Sequence, residues 1–150
     1  MIGIDAGNTE SGIASFDGVR LHWARKMSNT ALLAMIWASD DALKGKRVVL
    51  EMVASYGMIV GQEIFDTCRV IGRIQEACER QGAKVTLVFR KTVAAHICGS
   101  VRASDANIKQ ALKDRFGGKG TKANPGIFYG VAGSDQWSAI ALATWGIDNL

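Results

Sequence analysis

Three acids in this 150-residue sequence stand where apolar segments begin or end: Asp5, Glu51 and Asp135. Asp5 closes the run Met1-Ile2-Gly3-Ile4, and Glu51 closes Arg47-Val48-Val49-Leu50. Asp135 opens the apolar segment Gln136 to Ala143. A lone carboxylate is costly to bury unless a cation or hydrogen-bond donors compensate it. Three convergent carboxylates repel one another unless a hard divalent cation holds them, and Mg²⁺, with Mn²⁺ as a substitute, suits an all-oxygen set. Such a centre supports in-line phosphodiester hydrolysis, one ion activating water and another steadying the leaving 3′ oxygen. A plainer account stays open at this point: Asp5 starts a turn, Asp135 caps a helix and Glu51 is a solvated strand end.

The acids can meet only if the surrounding elements carry them to one sheet end. Met1 to Asp5 reads as a strand running into the turn Ala6-Gly7-Asn8-Thr9. Ser11 to Asp17 and Val19 to Lys26 flank Asp17-Gly18, a hairpin signal, so three antiparallel strands open the chain. Thr30 to Ala38 reads as a short helix and Arg47 to Leu50 as a buried strand. From about Val60 to Gln81, Ile64, Cys68, Ile71, Ile74 and Cys78 recur at helical spacing, and Gly82 supplies the stop. Lys84 to Phe89 is a further strand, followed by a short helix over Lys91 to Cys98. Ser104 or Asp105 caps a helix through Phe116, and Ser134 or Asp135 caps a last one from Gln136 to about Gly146. Strands first, then strand and helix alternating, predict an α/β domain with a mixed sheet flanked by helices. No internal repeat or domain boundary interrupts the 150 residues, so one domain is expected.

The charge is unevenly spread. Between Arg90 and Lys122 stand eight Lys/Arg against Asp105 and Asp114, a net +6 in 33 residues, while the whole chain carries only +4. That segment is a candidate phosphate-binding face, or simply a solvated helix and loop. Gly117-Gly118-Lys119-Gly120-Thr121-Lys122 within it reads as a flexible basic loop. No apolar run approaches the roughly 20 residues of a membrane span, and no charged-then-apolar leader opens the chain, so an intracellular, cytoplasmic protein is expected. Cys68, Cys78 and Cys98 form no CxxC pair and are expected to be buried free thiols. His22 and His96 stand alone, without partners at zinc-ligand spacing; His96, between Val93 and Ile97, is expected to be a satisfied core histidine.

Ile2-Gly3-Ile4-Asp5-Ala6-Gly7-Asn8 resembles the opening strand of RuvC-type Holliday junction resolvases, of the ribonuclease-H-like superfamily. Val48-Val49-Leu50-Glu51 resembles their second acidic strand, and Asp135-Gln136-Trp137-Ser138-Ala139-Ile140-Ala141-Leu142-Ala143 their final acidic helix. The segments Glu51 to Met58, Arg90 to Val93, Asp105 to Ile108 and Gly117 to Lys122 are similar to bacteriophage or prophage members. The resemblance implies a five-stranded ribonuclease-H-like sheet and a Mg²⁺-dependent endonuclease that nicks four-way or branched DNA in pairs, leaving 5′-phosphate and 3′-hydroxyl ends. It implies metal ligation by Asp5, Glu51 and Asp135, a basic residue near the scissile phosphate at Lys91, and Arg90 and Arg102 in reserve. Lys109, Lys119 and Lys122 join the implied DNA-binding set. A homodimer follows too, since a four-way junction offers two equivalent strands; the helix from Val60 to Gln81, with Gly61, Gly72 and Cys68, is the interface candidate. The setting implied is a bacterial cell or a phage-infected host.

Two positions depart from that pattern. The family's fourth metal-binding acid falls on Ser138, a weak ligand that would act through a bound water. The second ion is then weakly held, or ligated elsewhere, or the chain binds junctions without cutting them. Ala54 stands where the bacterial family often carries an aromatic, which leaves Tyr56 or Met58 to stack on a base; ordinary packing is the alternative for Tyr56. A rival from another class is a kinase of the actin-like superfamily, because Asp5-Ala6-Gly7-Asn8-Thr9 resembles the phosphate-binding turn of type III pantothenate kinases. Those enzymes hold nucleotide between two such domains, and the basic segment has no evident use in them.

Overall fold

The computed structural model describes residues 1–150. Its sheet is built from β1 (Ile2–Ala6), β2 (Glu10–Phe16), β3 (Leu21–Ser28), β4 (Arg47–Met52) and β5 (Lys84–Phe89), in the order β3-β2-β1-β4-β5. The β1–β2 and β2–β3 pairs are antiparallel, and β1–β4 and β4–β5 are parallel. The sheet is therefore mixed and five-stranded, as a hairpin followed by crossovers requires. Helices α1 (Asn29–Trp37) and α2 (Gln62–Arg80) connect its strands; α3 (Arg90–Cys98), α4 (Asp105–Phe116) and α5 (Ser134–Asn149) follow β5.

The strand alternation sorts side chains into two cores. Ile4, Ile13, Val48 and Leu50 pack with Leu32 and Ile36 of α1 and with Val70, Ile71 and Ile74 of α2. Ala14, Phe16, Val49 and Val88 pack on the other face with Ile108 and Leu112 of α4 and Ile140 and Leu142 of α5. Because Glu51 lies two residues after Val49, it shares the α5 face, and Gly3 and Asp5 share it across the strand pairing.

At two points helix α5 meets the sheet main chain to main chain. A Cβ on Gly3 would lie 2.0 Å from the Ala139 carbonyl oxygen, and one on Gly12 would lie 2.1 Å from that of Asp135. These two glycines are required by close approach of main chain to main chain. The helix begins at Ser134, with Gly133 rather than Ser134 or Asp135 as its cap. The side-chain oxygen of Gln136 accepts from the Ala132 and Gly133 amides (2.7 and 3.1 Å), which satisfies the amides just before the helix, while no side chain caps its first turn. Its amide donates to the Ala24 carbonyl at 3.1 Å and so fastens the helix start to β3.

The remaining differences are small. Helix α2 starts at Gln62, and its buried side includes Thr67, Val70 and Ala77, which leaves Cys68 half-buried. Of the three thiols only Cys78 is buried, its pKa pushed up to about 11 by burial; Cys98, like Cys68, is partly exposed. His96 lies at the surface end of α3 and pairs with Asp148 at 2.8 Å instead of entering the core. Asp148 also receives two bonds from Arg115 (2.6 and 2.7 Å), which ties α3, α4 and α5 together. No helix is long and apolar enough to cross a membrane.

Candidate active site

Strand register makes one row of the residues that matter. Asp5 of β1 is paired with Gly12 of β2, and Gly12 is paired with Lys26 of β3. One step beyond the Ile4–Leu50 pair, Glu51 of β4 falls beside Asp5. Directly paired residues point to the same face, so Lys26, Asp5 and Glu51 all face α5, with Gly12 leaving the space between. Asp135, in the first turn of α5, fills that space, its backbone lying over Gly12. Three elements distant in sequence thus bring three carboxylates to one sheet end.

Their titration reflects the crowding. Asp5 is raised to about 6, first by burial and then by the charge of Asp135, while a hydrogen bond from Ser138 and the charge of Arg90 oppose the rise. Glu51 is raised to about 7, again by burial first and then by Asp5. Both acids therefore resist ionisation until something positive joins them.

Two cations flank the row. At the β3 end, the Lys26 ammonium stands 2.9 Å from Asp135 and 3.1 Å from Glu10, and these partners raise its pKa. At the other end, Arg90 opens α3, lowers the pKa values of both Asp5 and Glu51, and forms an ion pair with Asp105 at the start of α4. A cavity of about 190 Å³ opens among Asp5, Gly7, Asn8, Thr9, Glu10, Lys26 and Asp135. A second, of about 250 Å³, is bordered by Asp105, Lys109, Ser134, Trp137 and Ser138. The turn under the first is braced by buried Asn29, which donates to the Gly7 carbonyl (3.0 Å) and accepts from Ser11 (2.6 Å).

Two solved structures are similar to the chain over nearly its full length. Thermus thermophilus RuvC matches with a TM-score of 0.68 at 17% identity, covering 95% of this chain and 91% of that one. T. thermophilus RuvC in complex with Holliday junction substrate matches with a TM-score of 0.71 at 16% identity, covering 99% and 96%. The fold is RuvC-like. No family model and no curated protein matches the chain.

Within this RuvC-like frame the donor chemistry fits a hard divalent cation: the facing groups are carboxylates and a hydroxyl, and burial, then a neighbouring carboxylate, raises the pKa values of Asp5 and Glu51. No three acid, histidine or cysteine side chains gather closely enough to enclose an ion where they stand. Asp5 and Glu51 are the neighbouring pair; Asp135 is engaged with Lys26.

The basic residues named from sequence divide by position. Arg90 acts on both acids, and Lys109 borders the cavity beside Ser138. Lys91 lies over the ring of Tyr56, 3.5 Å from its centroid. Tyr56 is half-exposed at φ +49°, in the loop after Glu51 that also exposes Met58 and Ile59. Arg102 borders a separate hollow with Ser100, Asn107 and Asp114. Lys119 and Lys122 belong to the loop closed by the Gly120–Pro125 bridge. Sequence reasoning missed Lys26, Glu10 and Gly12. Only the Asp5–Gly12–Lys26 register reveals them, although a glycine inside an otherwise apolar strand signals close backbone approach.

Proposed function

We propose that the chain is a divalent-metal-dependent endonuclease that resolves four-way or branched DNA, acting as a homodimer of one nuclease domain in a bacterial or phage-infected cytoplasm. The observation that carries this reading is the row of half-buried carboxylates, Asp5 beside Glu51 with Asp135 above, at the sheet end of a RuvC-like fold. The T. thermophilus neighbour in complex with Holliday junction substrate supports junction DNA as the ligand class.

Asp5 and Glu51 would hold Mg²⁺ or Mn²⁺, with Asp135 beside them and Ser138 as a weak contributor through a water. The ion supplies the Lewis acidity that phosphodiester hydrolysis needs. Lys91, with Arg90 in reserve beside the two acids, sets a positive charge against the charge developing on the phosphoryl group. Lys91, Arg102, Lys109, Lys119 and Lys122 hold the phosphate backbone, and Tyr56 offers a face for a base. Helix α2, whose Gly61 and Gly72 are open to solvent, is the proposed dimer face. A second reading, a junction binder that does not cut, is favoured by Ser138 standing where a fourth acid would strengthen the site.

The deciding experiment incubates purified protein with labelled four-way junction, linear duplex and RNA–DNA hybrid, in Mg²⁺, Mn²⁺ or EDTA, beside Asp5→Asn. Paired symmetric nicks confined to the junction, lost with EDTA or Asp5→Asn, are expected. Tight junction binding without cleavage in either metal would leave only the binder. Cleavage confined to the hybrid would reassign the substrate, and neither binding nor cutting would return the kinase to consideration.

A further inference from the structure

A divalent ion needs charged oxygen ligands, and an ion pair supplying a two-metal centre needs two sets of them. On the β1–β4 side of the row the set is Asp5 and Glu51, which have no lysine or arginine in salt-bridge contact. On the β2–β3 side the carboxylates are Asp135 and Glu10, and both are already joined to one ammonium, Lys26, at 2.9 and 3.1 Å. Ser138, one helical turn after Asp135, faces Asp5 with a hydroxyl and brings no charge.

Lys26 is about half exposed, and its direction is set by the sheet. It is the third member of the Asp5–Gly12–Lys26 register, so the backbone aims it at the same face as the acids. Gly12, the member between them, has no side chain to block the path. Glu10, two residues before Gly12 on β2, points to that face as well and completes a two-carboxylate clasp. A second divalent ion at Asp135 would have to expel this ammonium from both partners and sit close to its charge.

We propose that Lys26 is the resident cation of this centre: its ammonium holds the position at Asp135 and Glu10 that a second divalent ion would need, so the chain binds one divalent ion, on Asp5 and Glu51. The inference rests on the metal-dependent reading given above. It assigns Lys26 as a positioning residue that fixes Asp135, and it accounts for Ser138: with a lysine in place, a fourth carboxylate would have no ion to hold.

The test counts ions. Full-length wild-type protein, Lys26→Met and Lys26→Arg are titrated with Mn²⁺ at pH 8, reading bound ions per chain by calorimetry and by electron paramagnetic resonance. Each variant is first checked for a cooperative melt in EDTA. Wild type and Lys26→Arg bind one Mn²⁺ per chain with an uncoupled spectrum. Lys26→Met binds two, and spin–spin coupling appears between them. Two ions on the wild-type chain overturn the assignment of Lys26 and leave the metal-dependent reading intact. No ion on any of the three overturns both. If Lys26→Met fails to fold, Lys26→Gln replaces it, and the wild-type count alone still decides against the proposal if it is two.

Discussion

Replacing Asp5 by asparagine should make the metal-free protein more stable while destroying the site. Asp5 titrates at about 6 in the fold against an ordinary 3.8, because it is buried beside another carboxylate. At about 1.36 kcal/mol per pH unit, its ionised form is disfavoured by roughly 3 kcal/mol in the native state. Its folded pKa is the higher of the two, so the native state binds more protons than the unfolded state between about pH 4 and 6. Stability from this group therefore falls as pH rises through that window and stays low above it. Asparagine keeps the shape and removes the charge. In EDTA at pH 8, Asp5→Asn is expected to melt higher than wild type, by as much as roughly 6–12 °C at 2–4 °C per kcal/mol. At pH 4 the two should nearly coincide. Adding Mg²⁺ should raise the wild-type melting temperature and leave the variant unmoved, since the ion relieves a repulsion that the variant lacks. Thermal melts followed by circular dichroism across pH 4 to 8, with and without Mg²⁺, read all of this. An Asp5→Asn protein that melts below wild type at pH 8 without metal would refute the account of Asp5 as a frustrated carboxylate.

Other perturbations separate positioning from binding and from scaffold. Gly12→Ala places a Cβ 2.1 Å from the Asp135 carbonyl oxygen, so α5 must shift; a melt should register about 1–3 kcal/mol, and a displacement near 1 Å should cut junction cleavage about 100-fold. Lys91→Ala should weaken binding to junction and duplex alike, and flatten the plot of log affinity against log salt by about 0.9 if the lysine contacts one phosphate. Asp148 is held at about 2 by Arg115, burial opposing and His96 assisting, so its contribution is full above about pH 4 and is lost as pH falls toward 2. Asp148→Asn should therefore cost about 1 kcal/mol at pH 7, after solvent screening of this exposed pair, with bound-ion count unchanged, by denaturant melt and Mn²⁺ titration.

The acid-bearing strands were legible because Ile2 to Asp5 and Arg47 to Glu51 are short apolar runs with a carboxylate at the edge, a local pattern. That both acids emerge at one sheet end is also readable, given that the two strands are neighbours. Lys26 was not readable: β3 alternates weakly, its pairing depends on a register set two strands away, and Asp135 lies more than a hundred residues on. The cap of α5 differs for another reason: Ser134 and Asp135 are favourable capping residues, but the helix already begins after Gly133, and Gln136 reaches back to the amides before it. His96 was placed inside by its apolar neighbours, but Asp148, which claims it, comes from the far end of α5.

The seating of α5 on Gly3 and Gly12 has a consequence for how this protein can change over time. Where a helix rests on side chains, every substitution beneath it alters its height, and any group it carries drifts with the packing. Here the Ala139 and Asp135 carbonyls meet strand backbone directly, so the height of the helix is set by the thickness of two main chains. The spacing between Asp135 and the strand acids is thereby insulated from most exchanges of one aliphatic residue for another in the surrounding core. Divergence can proceed there freely, while the two glycines beneath the helix have almost no freedom to vary.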